Sequence, residues 1–434
     1  MKRIGKKKIV KETDQETIID TLTKGKSAAV PPLALGDKLR KEIYEALQGP
    51  VVDQLLREAG IAEGGSYWRS VMEGHSLKVE QRLLPHLCEL FEEVKAKLCF
   101  EEKVDFYITG ASDVNAFSVA AEKTGDPHIV NVNSALLELM TDDELRFVLG
   151  HELGHLIDRD TSLLQLIGFV FPDETAMPIV LQHKVRLWQQ LAELMADRYG
   201  YLAADDLGAC VSAFYKMASG LDITKMNVKL DELLDENLRH LDYFLKDDGI
   251  SAETHPVNPI RVQSLNLFAN CKDENQLEKD MAELIEILLK VGDGKTGRPL
   301  SIFLATAGLF AATADGDMND KEYEVILQHV AETQMFPREF IDQIVKQDLN
   351  ELFAKSVQDL LEEAPSLREG MFGYMIGLVL ADDKITMEEM DFLYEIGEKV
   401  FGYCRKETAL MTAQMMQQDF IPATDTLCQI RREE

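Results

Sequence analysis

The sequence has little positive charge, few cysteines, few histidines and no long hydrophobic run. Lys and Arg total 46 against 76 Asp and Glu, which gives a formal net charge of −30 over 434 residues. Such a surface repels phosphate backbones and anionic lipid headgroups, so we expect no nucleic-acid partner. The exception is a basic arm at the extreme N-terminus, whose composition is typical of a solvated tail.

No apolar segment reaches the length of a membrane-spanning helix. The longest ones, around Ile302–Ala312 and Met371–Ala381, are interrupted or far shorter than the ~20 residues that a bilayer requires. No apolar run follows the basic arm, so we expect no secretory signal peptide. The 6 cysteines are widely spaced without a Cys-x-x-Cys pair, which favours reduced thiols. These absences predict a cytoplasmic protein that is not embedded in a membrane.

Changes in periodicity divide the chain into five predicted segments. They are a basic arm and linker at 1–37, a first domain at 38–291, a linker at 292–299, an all-helical domain at 300–404 and a tail at 405–434. In the first domain, alternating β-branched and aromatic residues predict a small sheet with strands at Val104–Thr109, Asn115–Ala120 and His128–Asn133. Helical periodicity dominates elsewhere, so the predicted fold class is α+β and mostly helical.

The most informative segment is His151-Glu152-Leu153-Gly154-His155. Thr141-Asp-Asp-Glu is a capping box, which predicts a helix from there to about Asp158. Residues four apart share one face of a helix, so both imidazoles can reach a single ion. Glu152 lies beside them and can accept a proton from a metal-bound water. Because so short a pattern also arises by chance, the interpretation requires further ligands.

A catalytic zinc ion usually takes three protein ligands, so a third one is expected downstream. A loop-like insertion is predicted after the first helix from Pro172 and Pro178. A second helix is then predicted at about His183–Tyr199 and carries Glu193 in an apolar context, where an unpaired carboxylate is costly. Asp197 lies one turn further on, where it can hydrogen-bond a ligating imidazole on its other nitrogen. His183 and His255 are competing ligands, and the two carboxylates could instead form a solvated face. A further helix is predicted with Asn258 as its N-cap.

The joint spacing of these motifs resembles the gluzincin zinc metallopeptidases, the family of the bacterial heat-shock protease HtpX and the CAAX prenyl protease. The resemblance covers about residues 75–270. It rests on His151–His155, on Glu193–Asp197 followed by Gly200, on His255-Pro256 with Arg261 downstream, and on Asn115–Phe117 and Thr141–Leu145 upstream.

The resemblance implies a zinc metallopeptidase domain with a small sheet and an active-site helix. One zinc ion per chain is bound by His151, His155 and Glu193 in this interpretation. Glu152 is the base that activates the zinc-bound water, and Asp197 orients a ligating histidine from behind.

The resemblance also implies how substrate is bound. His255 is expected to help stabilise the oxyanion, and Arg261 to support the wall of the active site. Asn115, Ala116 and Phe117 are expected to belong to a strand that pairs with the substrate backbone.

The all-helical C-terminal domain contains an internal repeat. Ala314–Glu322 corresponds to Ala381–Glu389, and in both copies the sixth residue can cap a helix and the ninth can close a capping box. The acidic turns resemble the tellurite-resistance TerB-like domain. We expect this domain to recruit a regulatory protein partner or to regulate access to the active site.

These features predict a zinc-dependent metalloendopeptidase that acts on a peptide or protein substrate. Two alternatives fit the same residues: a catalytically silent stress or regulatory protein that binds peptide or metal, and a zinc hydrolase of a small amide. Glu152 argues against the silent protein, because a degenerate site is free to lose its base. A peptide-pairing edge at Asn115–Phe117 would favour a protein substrate, and a closed, narrow pocket would favour a metabolite.

Overall fold

A computed structural model of the chain describes residues 30–59, 64–121, 125–173, 176–226, 228–246, 255–289, 294–313, 320–380 and 386–430. Across these residues the chain is mostly helical and forms one 4-stranded sheet, in agreement with the predicted α+β class. The basic arm and the two acidic turns of the internal repeat lie outside the described residues. In the described part of the chain, every helix is too short or too polar to cross a bilayer.

Contacts between residues divide the chain into two compact units. The first comprises Met1–Met177, Lys184–Tyr243 and Ala252–Leu288, and the second comprises Pro178–His183, Phe244–Ser251 and Leu289–Glu434. The domain limits predicted from the sequence stay predictions, although a helix that starts at Gly294 begins inside the predicted linker.

The first unit combines the sheet with the helices that form the candidate site. Its strands are β1 Leu77–Lys78, β2 Val104–Thr109, β3 Ala116–Val119 and β4 His128–Asn133. The helices with all or most of their residues in this unit are α1 Ala34–Ala46, α2 Gly49–Ala59, α3 Gly64–His75, α4 Pro85–Lys97, α5 Ser134–Leu139, α6 Asp142–Ile157, α7 Asp160–Val170, α8 Ile179–Ala204, α9 Leu207–Ser219, α10 Leu230–Lys246, α11 Asn258–Ala269 and α12 Glu274–Leu288. A short 3-10 helix, Ile223–Met226, follows α9.

The sheet has the strand order β1-β2-β4-β3, so β3 is an edge strand. β2 and β4 are parallel, and the other two pairs are antiparallel. In β3, Phe117 and Val119 pack with Met72 of α3, so Ala116 and Ser118 point to the opposite face. β2 and β4 have the predicted bounds and β3 is one residue shorter at each end, whereas the two-residue β1 was not predicted.

Helices α6 and α8 approach each other closely because glycines face the contact. A Cβ atom at Gly200 would lie 2.7 Å from the carbonyl oxygen of Phe147. At Gly154 it would lie 2.9 Å from the ring of Tyr199, and at Gly150 it would lie 2.5 Å from a neighbouring Cβ atom. Side chains at these positions would push the two helices apart. The glycines therefore set how closely Glu193 and Asp197 of α8 approach the histidines of α6.

Three local predictions were wrong. Part of the expected loop-like insertion after α6 is the helix α7, because an apolar run fills Asp160–Val170 and the prolines follow it. Helix α8 is longer than predicted in both directions. Asn258 is the first residue of α11 and not its cap, since the N-cap position is Val257 and no side chain caps it.

The second unit is all-helical in its described residues. Its helices are α13 Gly294–Ala312, α14 Asp320–Ala331, α15 Pro337–Ile344, α16 Leu349–Glu363, α17 Leu367–Val379, α18 Met387–Ile396 and α19 Arg405–Ile430, with a π-helical turn at Gly397–Phe401. Buried side chains such as Phe303, Phe353 and Phe372 form its core. The predicted capping box between Thr386 and Glu389 is present, whereas its counterpart in the first copy lies outside the described residues. The TerB-like assignment stays a prediction.

Candidate active site

Helix α6 is anchored at its N-terminus by the predicted capping box. Thr141 accepts a hydrogen bond from the backbone N–H of Glu144, and the Glu144 carboxylate accepts one from the N–H of Thr141. The same carboxylate is buried, where it accepts hydrogen bonds from Ser212 Oγ at 2.6 Å and Lys216 Nζ at 2.8 Å. The cap therefore also fixes α6 to α9, and these two partners were not predicted from the sequence.

Two imidazoles and one carboxylate converge where α6 crosses α8. The Nε2 atoms of His151 and His155 are 3.2 Å apart, and the two rings are nearly perpendicular at 87°. Glu193 Oε2 lies 3.6 Å from Nε2 of His151, and Glu193 Oε1 lies 3.4 Å from Nε2 of His155. One ligand atom from each residue lies within 4.8 Å of the others, so the three could hold one metal ion.

The other nitrogen of His151 faces Asp197, which is itself held by an arginine. His151 Nδ1 lies 2.9 Å from Asp197 Oδ1. Arg261 donates two hydrogen bonds to this carboxylate, from Nε at 2.9 Å and from Nη2 at 2.6 Å. The guanidinium also lies over the ring of Phe214, 4.9 Å from its centroid. The structure thus brings Asp197 and Arg261, both predicted from the sequence, into one buried ion pair behind His151.

The other nitrogen of His155 faces Asp160, which the sequence analysis missed. Its Nδ1 lies 3.2 Å from Asp160 Oδ2, and Arg40 of α1 donates from Nη2 to Oδ1 of the same carboxylate at 2.5 Å. Arg159 has a left-handed backbone with φ of 57° between α6 and α7, and this sharp turn brings Asp160 back to His155. An acidic residue five positions after the second histidine was the available signal. Nothing local in the sequence pointed to Arg40.

The charges of this cluster outweigh the effect of burial on its carboxylates and on His155. Burial favours neutral Glu193, yet its hydrogen bond with His155 and the charge of Arg261 hold its pKa well below the usual range. Burial likewise opposes the ionised form of Asp197, but Arg261 lowers its pKa. For His155, burial favours the neutral ring, whereas hydrogen bonds to Asp160 and Glu193 raise its pKa well above the usual value. Cationic and anionic side chains of the cluster therefore stabilise one another.

A pocket of about 520 Å³ opens in front of this cluster. Glu152 lies in its wall and is buried. His255 lines it as well, with a side chain that is 62% exposed and an Nε2 atom 3.5 Å from Glu193 Oε1. Asn115, Ala116 and Phe117 of the β3 segment form another wall. The residues predicted to act on substrate therefore border one space.

His183, one of the competing ligands, does not join the cluster. It belongs to the second unit, where its Nε2 lies 2.5 Å from the carbonyl oxygen of Ala331. Of the two competing ligands, His183 and His255, only His255 lines the pocket.

Comparison with known proteins identifies relatives of the region that contains this pocket. Residues 83–268 match the model of peptidase family M48. A curated relative, the plastoglobule-localized metallopeptidase 48, chloroplastic, of Arabidopsis thaliana, is 27% identical over 280 residues, which cover 58% of this chain and 79% of the relative. No solved structure matches the chain at comparable significance.

Shorter alignments match bacterial and archaeal proteases. The protease HtpX homolog of Helicobacter acinonychis is 39% identical over 84 residues, which are 19% of this chain and 25% of that protein. The homolog of Thermoplasma volcanium is 32% identical over 93 residues, or 21% and 29% of the two chains. The alignments thus span about a quarter of these two HtpX homologs.

Proposed function

Since these matches support membership of peptidase family M48, and a metallopeptidase at the level of that family, we propose that this chain is a zinc-dependent metalloendopeptidase. The observation that carries the proposal is the convergence of His151, His155 and Glu193 in the wall of a pocket that also contains Glu152. Peptides or unfolded segments of proteins are its substrates.

The donor set fits one zinc ion per chain. Two imidazole nitrogens and one carboxylate are a common ligand set for catalytic zinc. Each histidine has its Nδ1 atom next to a carboxylate, so its Nε2 atom is the one left to face the metal. When bound, the zinc ion supplies Lewis acidity for the attacking water and for the substrate carbonyl.

Glu152 moves the proton in this mechanism. It follows His151 directly on α6 and lines the same pocket, so its carboxylate faces the space in which the attacking water would lie. Glu152 accepts the proton of that water and then donates it to the nitrogen of the departing amine. The water oxygen forms a new bond to the carbonyl carbon. The peptide C–N bond then breaks with its electron pair going to nitrogen, which takes the proton, and the Glu152 carboxylate returns to its ionised form.

His255 and Arg261 have different roles in this pocket. His255 stabilises the negative charge that develops on the substrate, and Arg261 positions two carboxylates. His255 is largely exposed and lies next to Glu193, so it can turn toward the developing oxyanion and donate a hydrogen bond to it. Arg261 Nη2 lies 3.4 Å from Glu193 Oε2 and also holds Asp197, so it keeps both carboxylates in place.

The edge strand β3 favours a peptide over a small metabolite. Asn115, which directly precedes β3, lines the pocket together with Ala116 and Phe117 of the strand, and in the sheet as described β3 pairs only with β4. An extended peptide can therefore add to the outer side of β3 by main-chain hydrogen bonds.

The second unit recruits a regulatory protein partner, and a cytoplasmic location stays a prediction.

Wild-type protein and Glu152→Gln, assayed for bound zinc and for cleavage of an unfolded protein mixture, test the proposal. We expect both proteins to bind one zinc ion and the variant to lose at least ~100-fold in cleavage rate. Glu283→Gln is the control, since Glu283 is exposed on α12 and should leave both readouts unchanged. Hydrolysis that persists in Glu152→Gln would overturn the mechanism. Full zinc occupancy without cleavage in either protein would favour a silent binding protein.

A further inference from the structure

Three aromatic rings form a row from the surface of α3 to the pocket. Tyr67 and Trp68 of α3 are 65% and 39% exposed, and their ring centroids are 5.9 Å apart. The Trp68 ring lies 5.5 Å from that of Phe117 on β3. Phe117 in turn lines the pocket beside the candidate zinc ligands. We call Tyr67, Trp68 and Phe117 the aromatic row.

Helix α3 is held against the sheet by other residues, so the exposed parts of the Tyr67 and Trp68 rings are not needed to anchor it. Met72 is buried against the sheet, and Arg69 donates hydrogen bonds to Asp105 at 3.1 Å and to the carbonyl oxygen of Pro127 at 2.7 Å. Exposed aromatic side chains on a fixed backbone bind partners with little loss of conformational entropy. The aromatic row therefore has the properties of a preformed binding surface.

The alternation of side chains along β3 determines which side chains of a paired substrate would reach this surface. Phe117 lies on the α3 side of the sheet, whereas Ala116 and Ser118 point to the opposite face. A peptide that pairs with the outer side of β3 alternates in the same way. Every second side chain of that peptide is thus directed to the α3 side, next to Phe117 and Trp68.

From this juxtaposition we infer that the aromatic row is a specificity subsite for one large apolar or aromatic side chain of the substrate. The inference rests on the proposed function, because its occupant is the peptide paired with β3. Helix α3 precedes residues 83–268, so the match to the peptidase family does not include Tyr67 or Trp68. The subsite makes segments with exposed apolar side chains, such as those of unfolded proteins, the preferred substrates.

A set of quenched fluorescent peptides tests the subsite. The peptides differ only in whether Phe or Ser occupies each position around the scissile bond. We expect wild-type protein to prefer Phe at one position by about tenfold in kcat/KM. In Trp68→Ala the ratio of kcat/KM for the Phe peptide to kcat/KM for the Ser peptide should fall to about 1, and Trp68→Phe should restore it. Tyr243→Ala is the control, because Tyr243 is an exposed aromatic residue, like Tyr67, and does not line the pocket.

A binding measurement separates failure of the subsite from failure of the proposed function. The chain has 2 tryptophans, and Trp188 is buried, so iodide quenches chiefly Trp68. In Glu152→Gln, the Phe peptide should protect this fluorescence from iodide better than the Ser peptide does. If the Phe peptide protects Trp68 from iodide but wild-type protein cleaves no peptide, the subsite is supported and the proposed peptidase activity is overturned. Cleavage with equal preference for Phe and Ser at every position would overturn the subsite alone.

A lipid surface is the alternative partner of the aromatic row. Phosphatidylcholine vesicles that bind wild-type protein but not Trp68→Ala, in the absence of any Phe preference, would assign the aromatic row to a membrane surface and overturn the inference. Melting curves of all variants, compared with wild-type protein, show whether each one is folded.

Discussion

Asp160 lies on the side of His155 opposite Glu193, with Oδ2 3.2 Å from the Nδ1 atom of the ring. Its other oxygen accepts a hydrogen bond from Arg40, which also donates to the carbonyl oxygen of Asp158 at 2.9 Å. Arg40 comes from a helix more than 100 residues earlier in the chain, outside the part that matches the family. The orientation of His155 thus depends on a residue from outside the matched region.

Breaking this contact should weaken zinc binding. Since partners on the non-metal nitrogen orient a ligating imidazole, we expect Asp160→Asn and Arg40→Ala each to lower zinc affinity by roughly 10- to 100-fold. Competition with a fluorescent chelator measures this directly, without reference to activity. Arg40→Lys should recover part of the loss, and Lys41→Ala, an exposed neighbour on α1, should have no effect. Equal affinity of Asp160→Asn and wild type would contradict the proposed role.

Because the pKa of His155 is raised, zinc affinity should still depend on pH above the range in which a histidine usually titrates. Protons compete with zinc for the ring, so apparent affinity should increase by about tenfold per pH unit until the raised pKa is passed. The stability of the metal-free protein should show the opposite trend. Because the folded-state pKa of His155 lies above the unfolded value of about 6.5, protonated His155 contributes its full stabilisation below about pH 6.5. This contribution decreases as the pH rises through the folded-state pKa. Chelator competition and thermal melting between pH 6 and 9 measure both trends, and a zinc affinity that levels off at about pH 6.5 would contradict the expected shift.

Gly200→Ala should destabilise the first unit and impair zinc binding together. The new Cβ atom would lie 2.7 Å from the carbonyl oxygen of Phe147, so α6 and α8 must separate. We expect a loss of about 1–3 kcal/mol in the free energy of unfolding, measured by urea titration of the metal-free protein. Gly168→Ala is the matched control in helix α7. Its Cβ atom would meet no other atom within 4 Å, and alanine should stabilise this helix by up to about 1 kcal/mol.

Lys216→Met should be among the most destabilising single substitutions in the first unit. The side chain is fully buried and ion-pairs with Glu144, which would be left as a buried carboxylate without a cation. Breaking such a pair costs about 3–5 kcal/mol. Lys225→Met is the control, because Lys225 pairs with Asp222 as Lys216 does but is 82% exposed, so its loss should cost no more than about 1 kcal/mol. The double variant Glu144→Gln/Lys216→Met should be more stable than Lys216→Met alone, and the reverse order would contradict this account.

Local patterns in the sequence predicted the parts of the site that depend on local structure. The capping box at Thr141 and the alternation in β2 and β4 are short-range signals, and the structure has both. Helical spacing also suffices to bring Glu193 and Asp197 to one face of α8. The assignment of zinc to these residues stays a proposal.

The unpredicted parts depend on contacts between distant segments. Arg40 reaches Asp160 from 120 positions earlier, and Lys216 reaches Glu144 from 72 positions later, so no local periodicity could reveal either pair. Helix α7 was missed because prolines were read as the mark of a loop, although they lie just beyond its end. Trp68 was missed for another reason, since only the tertiary fold places α3 beside β3.

The strand order of the sheet determines when the β3 edge can form during synthesis of the chain. β3 emerges before β4, yet β4 is its neighbour in the sheet and separates it from β2. The edge proposed to pair with substrate therefore has no place in the sheet until the chain has been made as far as Asn133. The active-site helix α6 follows at Asp142, but Glu193 and His255 are made later still. A growing chain thus completes its substrate-pairing edge before it has all the residues proposed to cleave what binds there.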